Sequence, residues 1–463
     1  MKRIYFRTLD LNGFWNREEH IDFNMESIIP RFKIKKILSR LEEKNIEIIT
    51  GPRQTGKTTL LYLIIKDILK NRKNHKRLFY VNLDTIVNYE LFENPYLFYE
   101  NIKRSFADDK GVNYLFIDEV QRLRNPGQFL KGIYDLKKNI KIIVTGSSSL
   151  EIKSKTKEFL TGRKRETTLL PVSFSEYIDS GRKIPEDLKS LKINNKTLSL
   201  WADNELLYGK YLSDKLEYMQ LYGGYPAALT KKNYEQRIEE LSEIFNSYIK
   251  KDVVDFLKVE RIDIYDKLIK VAATQIGNMM NFSELCSLVQ GNLITVTKYL
   301  SILEKTFITY YLKPFTSKKR NEVKHATKCY FIDTGLRNFA IRQFNKTDTR
   351  MDSGALLENI LLAENLKKQK LDEEIFYWRT KAGAEIDCVI KKQGRIIPIE
   401  IKSGKIKIGA LTKSFHSFIN SFSPEKAIFI NKDKFGIMKI HRTRVYYIPA
   451  KWFLLYGLNL IGE

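Results

Sequence analysis

Short apolar runs and longer helical stretches alternate through the first third of the chain. Ile46–Thr50, Phe79–Leu83, Tyr114–Glu119 and Lys141–Ser149 each read as a strand, with helical stretches between them such as TLLYLIIKDILK. This alternation predicts a parallel sheet whose ligands gather at the C-terminal edge of the strands. From about residue 205 to 255 the pattern is helical, with Gly223-Gly-Tyr-Pro226 as a loop before a helix. Next come three helices, IYDKLIKVAATQIG, SELCSLVQ and ITVTKYLSILEKT, then a hairpin through ITYYLKPF and ATKCYFID. That order predicts a winged helix. On its third helix Val296, Leu300, Leu303 and Phe307 recur at inward spacing, which leaves Thr295, Thr297, Lys298 and Ser301 outward.

Toward the C-terminus, residues 354–365 (GALLENILLAEN) form an amphipathic helix carrying Glu358. Two strands follow, Ala384–Ile390 and Ile396–Lys402, joined by a turn ending at Gly394. Strand alternation puts Ile386, Cys388 and Ile390 on one face of the first, and Glu385, Asp387 and Val389 on the other. In the second, Ile397, Ile399 and Ile401 share one face, and Pro398, Glu400 and Lys402 the other. A solvated edge strand marked by Pro398 would explain the charges of Glu400 and Lys402. So would a site.

At 463 residues the chain predicts two to four domains, and 43% hydrophobic with 12% aromatic residues is ordinary for folded protein. The net charge of +25 is not ordinary and points to a polyanionic partner, nucleic acid before membrane. No run of eighteen apolar residues occurs and the N-terminus lacks the apolar stretch of a signal peptide, so a cytosolic protein is expected. Three cysteines without CxxC spacing and five unclustered histidines predict neither disulfides nor zinc.

The strand Ile46–Thr50 runs into Gly51-Pro-Arg-Gln-Thr-Gly-Lys-Thr58 and then a helix, the context a phosphate-binding loop requires. Gly51, Pro52, Arg53, Gln54, Thr55, Gly56, Lys57, Thr58 and Thr59 form the expected ATP-binding segment. The glycines let backbone N–H groups face the phosphates, Lys57 reaches the β- and γ-phosphates, and Thr58 ligands Mg²⁺. Asp118 would hold the magnesium and Glu119 polarise the attacking water. Ser147, at the end of the third strand, is placed to sense the γ-phosphate. Arg163 is either an arginine finger or sensor, or a surface charge.

GPRQTGKTTL, FIDEVQRL, IIVTGSSS, LTGRKRETTLLPVSFSEY and YGGYPAAL together resemble the AAA-type ATPases of archaea and bacteria that carry a C-terminal domain of unknown function. The resemblance spans about residues 30 to 463. It implies Mg-ATP binding by Lys57, Thr58, Asp118 and Glu119, and it matches Arg163 to a Gly-Arg element. Members of this lineage often add a winged helix and an endonuclease-like fold. Glu358, Asp387 and the Glu400-x-Lys402 pair then resemble the PD-(D/E)xK constellation, which implies Mg²⁺ or Mn²⁺ on Asp387, Glu400, Glu358 and the carbonyl of Ile401. Lys402 would orient or deprotonate water, and Arg379 is a phosphate contact or a surface arginine.

The expected architecture is α/β and multidomain: an N-terminal extension (1–30), an AAA-type ATPase domain (31–204), a helical lid (205–258), a winged helix (259–333) and an endonuclease-like domain (334–463). DNA is the expected partner, through Thr295, Thr297, Lys298 and the basic hairpin loop with Lys318, Lys319 and Arg320. Self-assembly is compatible. Two other readings remain: a nucleotide-dependent regulatory or defence switch that binds DNA or a protein without cutting, and an ATP-driven DNA motor.

Overall fold

The computed structural model describes residues 5–9, 15–19, 28–72, 78–85, 89–103, 111–146, 160–189, 193–247, 259–316 and 327–456. Ser147, Lys318, Lys319 and Arg320 lie outside these residues. The chain divides into two compact units at Leu170/Pro171, far from the expected boundary at 204/205. Among the described residues no helix is long and apolar enough to cross a membrane.

The N-terminal unit is built on seven strands: β1 (Tyr5–Leu9), β2 (Trp15–Glu19), β3 (Ile46–Thr50), β4 (Leu78–Asn82), β5 (Asn113–Asp118), β6 (Ile140–Gly146) and β7 (Lys164–Thr168). Their order is β2-β1-β4-β5-β6-β3-β7, and β4, β5, β6, β3 and β7 run parallel. Every position of β3 is buried because both faces of the sheet are covered. Ile46, Ile48, Ile117 and Val144 pack with Phe98, Phe129 and Ile133. Ile49, Phe116 and Ile143 pack on Leu60, Leu61, Ile64 and Ile68 of the helix Lys57–Arg72. The Ile-rich strand β3 is thus sandwiched between helices, and its C-terminal end leads into the phosphate loop.

The C-terminal unit contains an eight-stranded mixed sheet in the order β14-β15-β13-β12-β11-β10-β8-β9. Its strands are β8 (Thr309–Pro314), β9 (Lys328–Phe331), β10 (Glu373–Arg379), β11 (Glu385–Lys392), β12 (Arg395–Ile401), β13 (Lys426–Asn431), β14 (Gly436–Ile440) and β15 (Thr443–Pro449). The three predicted helices are present at Ile262–Thr274, Phe282–Val289 and Leu293–Lys305, the last capped by Asn292 on the Thr295 N–H. Val296, Leu300 and Leu303 face their core as expected. Phe307 does not continue that stripe, since the helix ends at Lys305 and Phe307 turns into the left-handed region at φ 60°.

The hairpin after these helices is not a separate wing. β8 pairs in parallel with β10, so the hairpin extends the C-terminal sheet. On β9, Cys329 and Phe331 enter the three-helix core, and alternation sends Lys328 and Tyr330 the other way. The expected division at 333/334 therefore cuts through one folded body.

The segment Gly223-Gly-Tyr-Pro226 belongs to the same body. Asp333 accepts the Gly224 N–H at 2.6 Å, and a Cβ on Gly223 (φ 72°) would lie 2.1 Å from the Asp333 carboxylate. The glycines are there to let the helix Glu205–Tyr222 end against that carboxylate.

Candidate functional site

Two groups of polar residues stand out, one in each unit. In the first, Gly51 adopts φ 147° and an added Cβ would sit 2.1 Å from the Leu169 carbonyl oxygen, so the loop needs glycine there. Gln54 (φ 58°) and Gly56 (φ 87°) complete the curl. The Lys57 ammonium donates to the carbonyls of Gly51 at 3.1 Å and Pro52 at 2.8 Å, across the mouth of the loop. Thr55 bonds the Pro52 carbonyl at 2.9 Å, and Arg31 braces the loop from behind through the Thr55 carbonyl at 2.6 Å. Arg53 and Thr59 are half-buried beside it. Gly51→Ala is expected to cost on the order of 1–3 kcal/mol of stability in this unit, read as a lower melting temperature.

Strand β6 separates β3 from β5, yet the chemistry spans it. Thr58 Oγ1 donates to Asp118 Oδ2 at 2.6 Å, and the Tyr80 hydroxyl donates to the same oxygen at 3.2 Å. The other Asp118 oxygen accepts from Thr145. An adjoining hydroxyl and carboxylate of this kind are the hard-oxygen donors that suit Mg²⁺. Glu119 leaves the strand in the left-handed region at φ 58°, its N–H donates to Thr145 Oγ1 at 3.1 Å, and its carboxylate accepts from Gln121. Thr145, Gln121 and Arg31 carry no local signature and went unnoticed in the sequence. Thr145 links both acids from the strand end next to the expected Ser147.

Arg163 is elsewhere. It precedes β7, and its carbonyl accepts the N–H of Ile46, the first residue of β3. In a parallel sheet this is the edge opposite the phosphate loop, roughly 15 Å away by strand rise. Its side chain pairs with Asp135 at 3.3 Å and lies over Tyr134. A finger or sensor acting on the ATP of its own chain is thereby excluded.

In the second unit, β12 lies between β11 and β13, which excludes the edge-strand explanation of Pro398, Glu400 and Lys402. The hairpin turn is Gln393-Gly394, both with positive φ. Strict alternation fails on β11. Phe376 pairs with Val389 and Trp378 with Ile386, so Asp387 and Cys388 together oppose Tyr377 in a bulge. Ile386 and Val389 consequently both reach the apolar cluster of Phe415 and Phe418, where alternation alone had separated them. The β11–β12 ladder runs as far as Cys388 and Ile399, and beyond it Asp387 Oδ2 accepts the Ile401 N–H at 2.8 Å.

Glu400 is 3% exposed. Its Oε1 accepts from Lys402 at 2.9 Å and Thr412 at 3.4 Å, and its buried Oε2 has no hydrogen-bond partner among the described residues. Glu358 accepts from Tyr330 and lies 3.4 Å from Lys328, which also pairs with Glu385 at 2.5 Å. Arg379 pairs with Glu385 at 2.8 Å and is partly exposed. Burial pushes the Glu358 and Glu400 carboxyls up to about 7, with repulsion from Asp387 adding to both. Burial raises Asp387 as well. Burial opposes the charge on Lys402, but attraction to Glu400, Asp387 and Glu358 holds it above its ordinary value. Lys402 is thus an ammonium near neutral pH, suited to offset charge rather than to take a proton.

Glu358, Asp387, Glu400 and Lys402 lie near enough to act on one another's charge. Among the described residues no three His, Cys, Asp or Glu side chains are gathered closely enough to hold a metal ion as they stand. Asp387 and Glu400, with its orphaned oxygen, fit a divalent ion next to the Ile401 backbone. Glu358 does not fit as placed, because Lys328 and Tyr330 engage it.

A pH dependence follows. Carboxyls raised by folding bind protons at pH values where the unfolded chain has released them, so their contribution weakens stability as pH rises from about 4.5 through about 7. In chelator, the melting temperature of the C-terminal unit should fall between pH 5.5 and 8, by about 2–4 °C per kcal/mol. Glu400→Gln should flatten that slope.

On the third helix Thr297 and Lys298 are exposed as expected, whereas Thr295 is half-buried. Their neighbours Leu293 and Ile294 are exposed too, so the tip of this helix is apolar as well as basic.

Residues 43–178 match the family described as AAA domain. With the parallel sheet and phosphate loop, this makes the N-terminal unit an AAA-type P-loop domain. Residues 213–347 and 353–453 match two families described as domains of unknown function, DUF8612 and DUF4143. An uncharacterized protein of Haemophilus influenzae is 23% identical over 423 residues, covering 88% of this chain and 94% of that protein. One of Methanocaldococcus jannaschii is 24% identical over 382 residues, covering 81% and 78%. Among solved structures, the Aeropyrum pernix ORC2 protein in its ADP form aligns over 73% of this chain and 92% of its own, at 13% identity. Its TM-score of 0.32 is too low to bear on fold or function.

Proposed function

We propose that the chain is an ATPase whose nucleotide state controls a DNA-binding half that cuts DNA at the carboxylate cluster. For the first activity the supporting observation is the contact of Thr58 with Asp118, with Glu119 turned out of the strand beside them. Lys57 would move from the loop carbonyls to the β- and γ-phosphates, and Glu119 would align the attacking water. Mg²⁺ on Thr58 and Asp118 would supply charge neutralisation for the phosphates.

For the second activity the reading rests on the buried Glu400 Oε2, which has no partner among the described residues, beside Asp387. Asp387, Glu400 and the Ile401 carbonyl would hold Mg²⁺ or Mn²⁺, which supplies Lewis acidity at the scissile phosphate. Lys402, steered by Glu400, would orient the water and balance the charge that develops on the phosphoryl oxygens. Arg379 stands at the exposed margin, where it would meet the DNA backbone on releasing Glu385. The charge of +25, Lys298 and the basic hairpin segment support DNA as the polyanion.

The deciding experiment is cleavage of linear, circular and single-stranded DNA with Mg²⁺ or Mn²⁺, with and without ATP, comparing wild type with Asp387→Ala. Metal-dependent cutting absent from the variant supports the reading; equal cutting by both sinks it. One observation favours a second reading, a switch that binds DNA or a protein without cutting. Lys402 and Lys328 already pair with Glu400 and Glu358. DNA binding with no cleavage under any metal would select it.

A further inference from the structure

Lys328 is 2% exposed, and its ammonium lies between Glu385 at 2.5 Å and Glu358 at 3.4 Å, with the Tyr377 ring 5.5 Å away. Its strand β9 is pinned from behind, because Cys329 and Phe331 are buried in the three-helix core. The ammonium is therefore delivered to the cluster by a rigid element. A buried ammonium is costly unless paired, and here two carboxylates pair it.

We infer that Lys328 is a resident cation standing in a second metal position, so that the cluster takes one divalent ion, at Asp387 and Glu400, and not two. The inference rests on the metal-dependent reading above. Two-metal phosphodiester sites hold their ions about 3.5–4 Å apart on shared carboxylates. Glu358 is the carboxylate that would share a second ion, and its Oε1 is taken by Lys328 and Tyr330. The local charges agree. Glu358, Glu385, Asp387 and Glu400 face Lys328, Lys402 and Arg379, a balance that one divalent ion overturns only slightly and a second would swing strongly positive. With the lysine neutralised, Glu385 Oε1 loses its partner while Oε2 stays on Arg379, and Glu358 keeps only the hydrogen bond from Tyr330, so each has an oxygen to offer beside the first site.

The test is Mn²⁺ binding to the full chain, by calorimetry and equilibrium dialysis. An Asp118→Asn background keeps the ATP site out of the count. That chain should bind one ion, lost on further substitution Glu400→Gln. Adding Lys328→Met should give a second ion, or at least about tenfold tighter binding, while Lys328→Arg should retain one. Lys328→Gln serves as the second neutral variant, and thermal melts establish that each variant is folded. Two ions with Lys328 intact overturn the inference. So does a folded Lys328→Met or Lys328→Gln chain with unchanged stoichiometry and affinity. No ion bound with Lys328 intact would instead remove the metal-dependent reading on which the inference stands.

Discussion

Glu119→Gln should leave ATP affinity within about twofold of wild type while turnover falls by roughly 10²–10⁴-fold, the usual worth of a positioned acid–base group. The reason lies in the turn at the end of β5. Asp118 stays in the strand and faces Thr58, whereas Glu119, one residue on, enters the left-handed region and is held by Gln121 and Thr145. Adjacent acids are thereby sent to different tasks. The isosteric amide keeps the contact to Gln121 and removes only the charge that, on the proposed reading, would act on water. Lys57→Met should behave oppositely. It removes the ammonium at the mouth of the loop, so nucleotide binding itself should weaken by about a hundredfold or more, as expected for a charge-assisted contact to phosphate. Binding of a fluorescent ATP analogue with phosphate release separates the two. A Glu119→Gln chain that hydrolyses ATP at the wild-type rate would contradict the assignment.

Asp387→Ala and Lys402→Met should each lower metal-dependent DNA cleavage by at least about a hundredfold, with different signatures. Loss of Asp387 removes a ligand and the acceptor of the Ile401 N–H, so Mn²⁺ affinity should fall too. Loss of Lys402 removes the positive charge next to Glu400 and leaves the donors in place, so Mn²⁺ affinity should hold or rise while cleavage fails. DNA retention by both variants, read by mobility shift, separates lost chemistry from lost binding. Equal Mn²⁺ affinity and equal cutting in wild type and Asp387→Ala would place the chemistry elsewhere.

Local features were readable and distant ones were not. Gly51–Thr58 declares itself because a strand, a curled loop and a helix start are encoded within a dozen residues. The convergence of Asp387 and Glu400 was readable because one tight turn fixes the register of β11 against β12. The bulge at Asp387 and Cys388 left no trace, since it depends on where β10 lies opposite. Lys328 has no signature of its own in the sequence, because nothing local says that its strand joins β8 to extend a sheet through β10. Arg163 was misplaced for a similar reason. Its Gly-Arg neighbourhood suggested a catalytic role, but only the parallel pairing of β7 with β3 reveals which edge of the sheet it occupies.

The seat of Gly223 and Gly224 on Asp333 bears on how the protein should be divided for experiment. A fragment ending at 258, as the helical pattern suggests, would carry those glycines away from the carboxylate they were shaped to meet and leave Asp333 buried against nothing. A division near Leu170 keeps that pairing whole, since Gly223, Gly224 and Asp333 all fall on the C-terminal side of it.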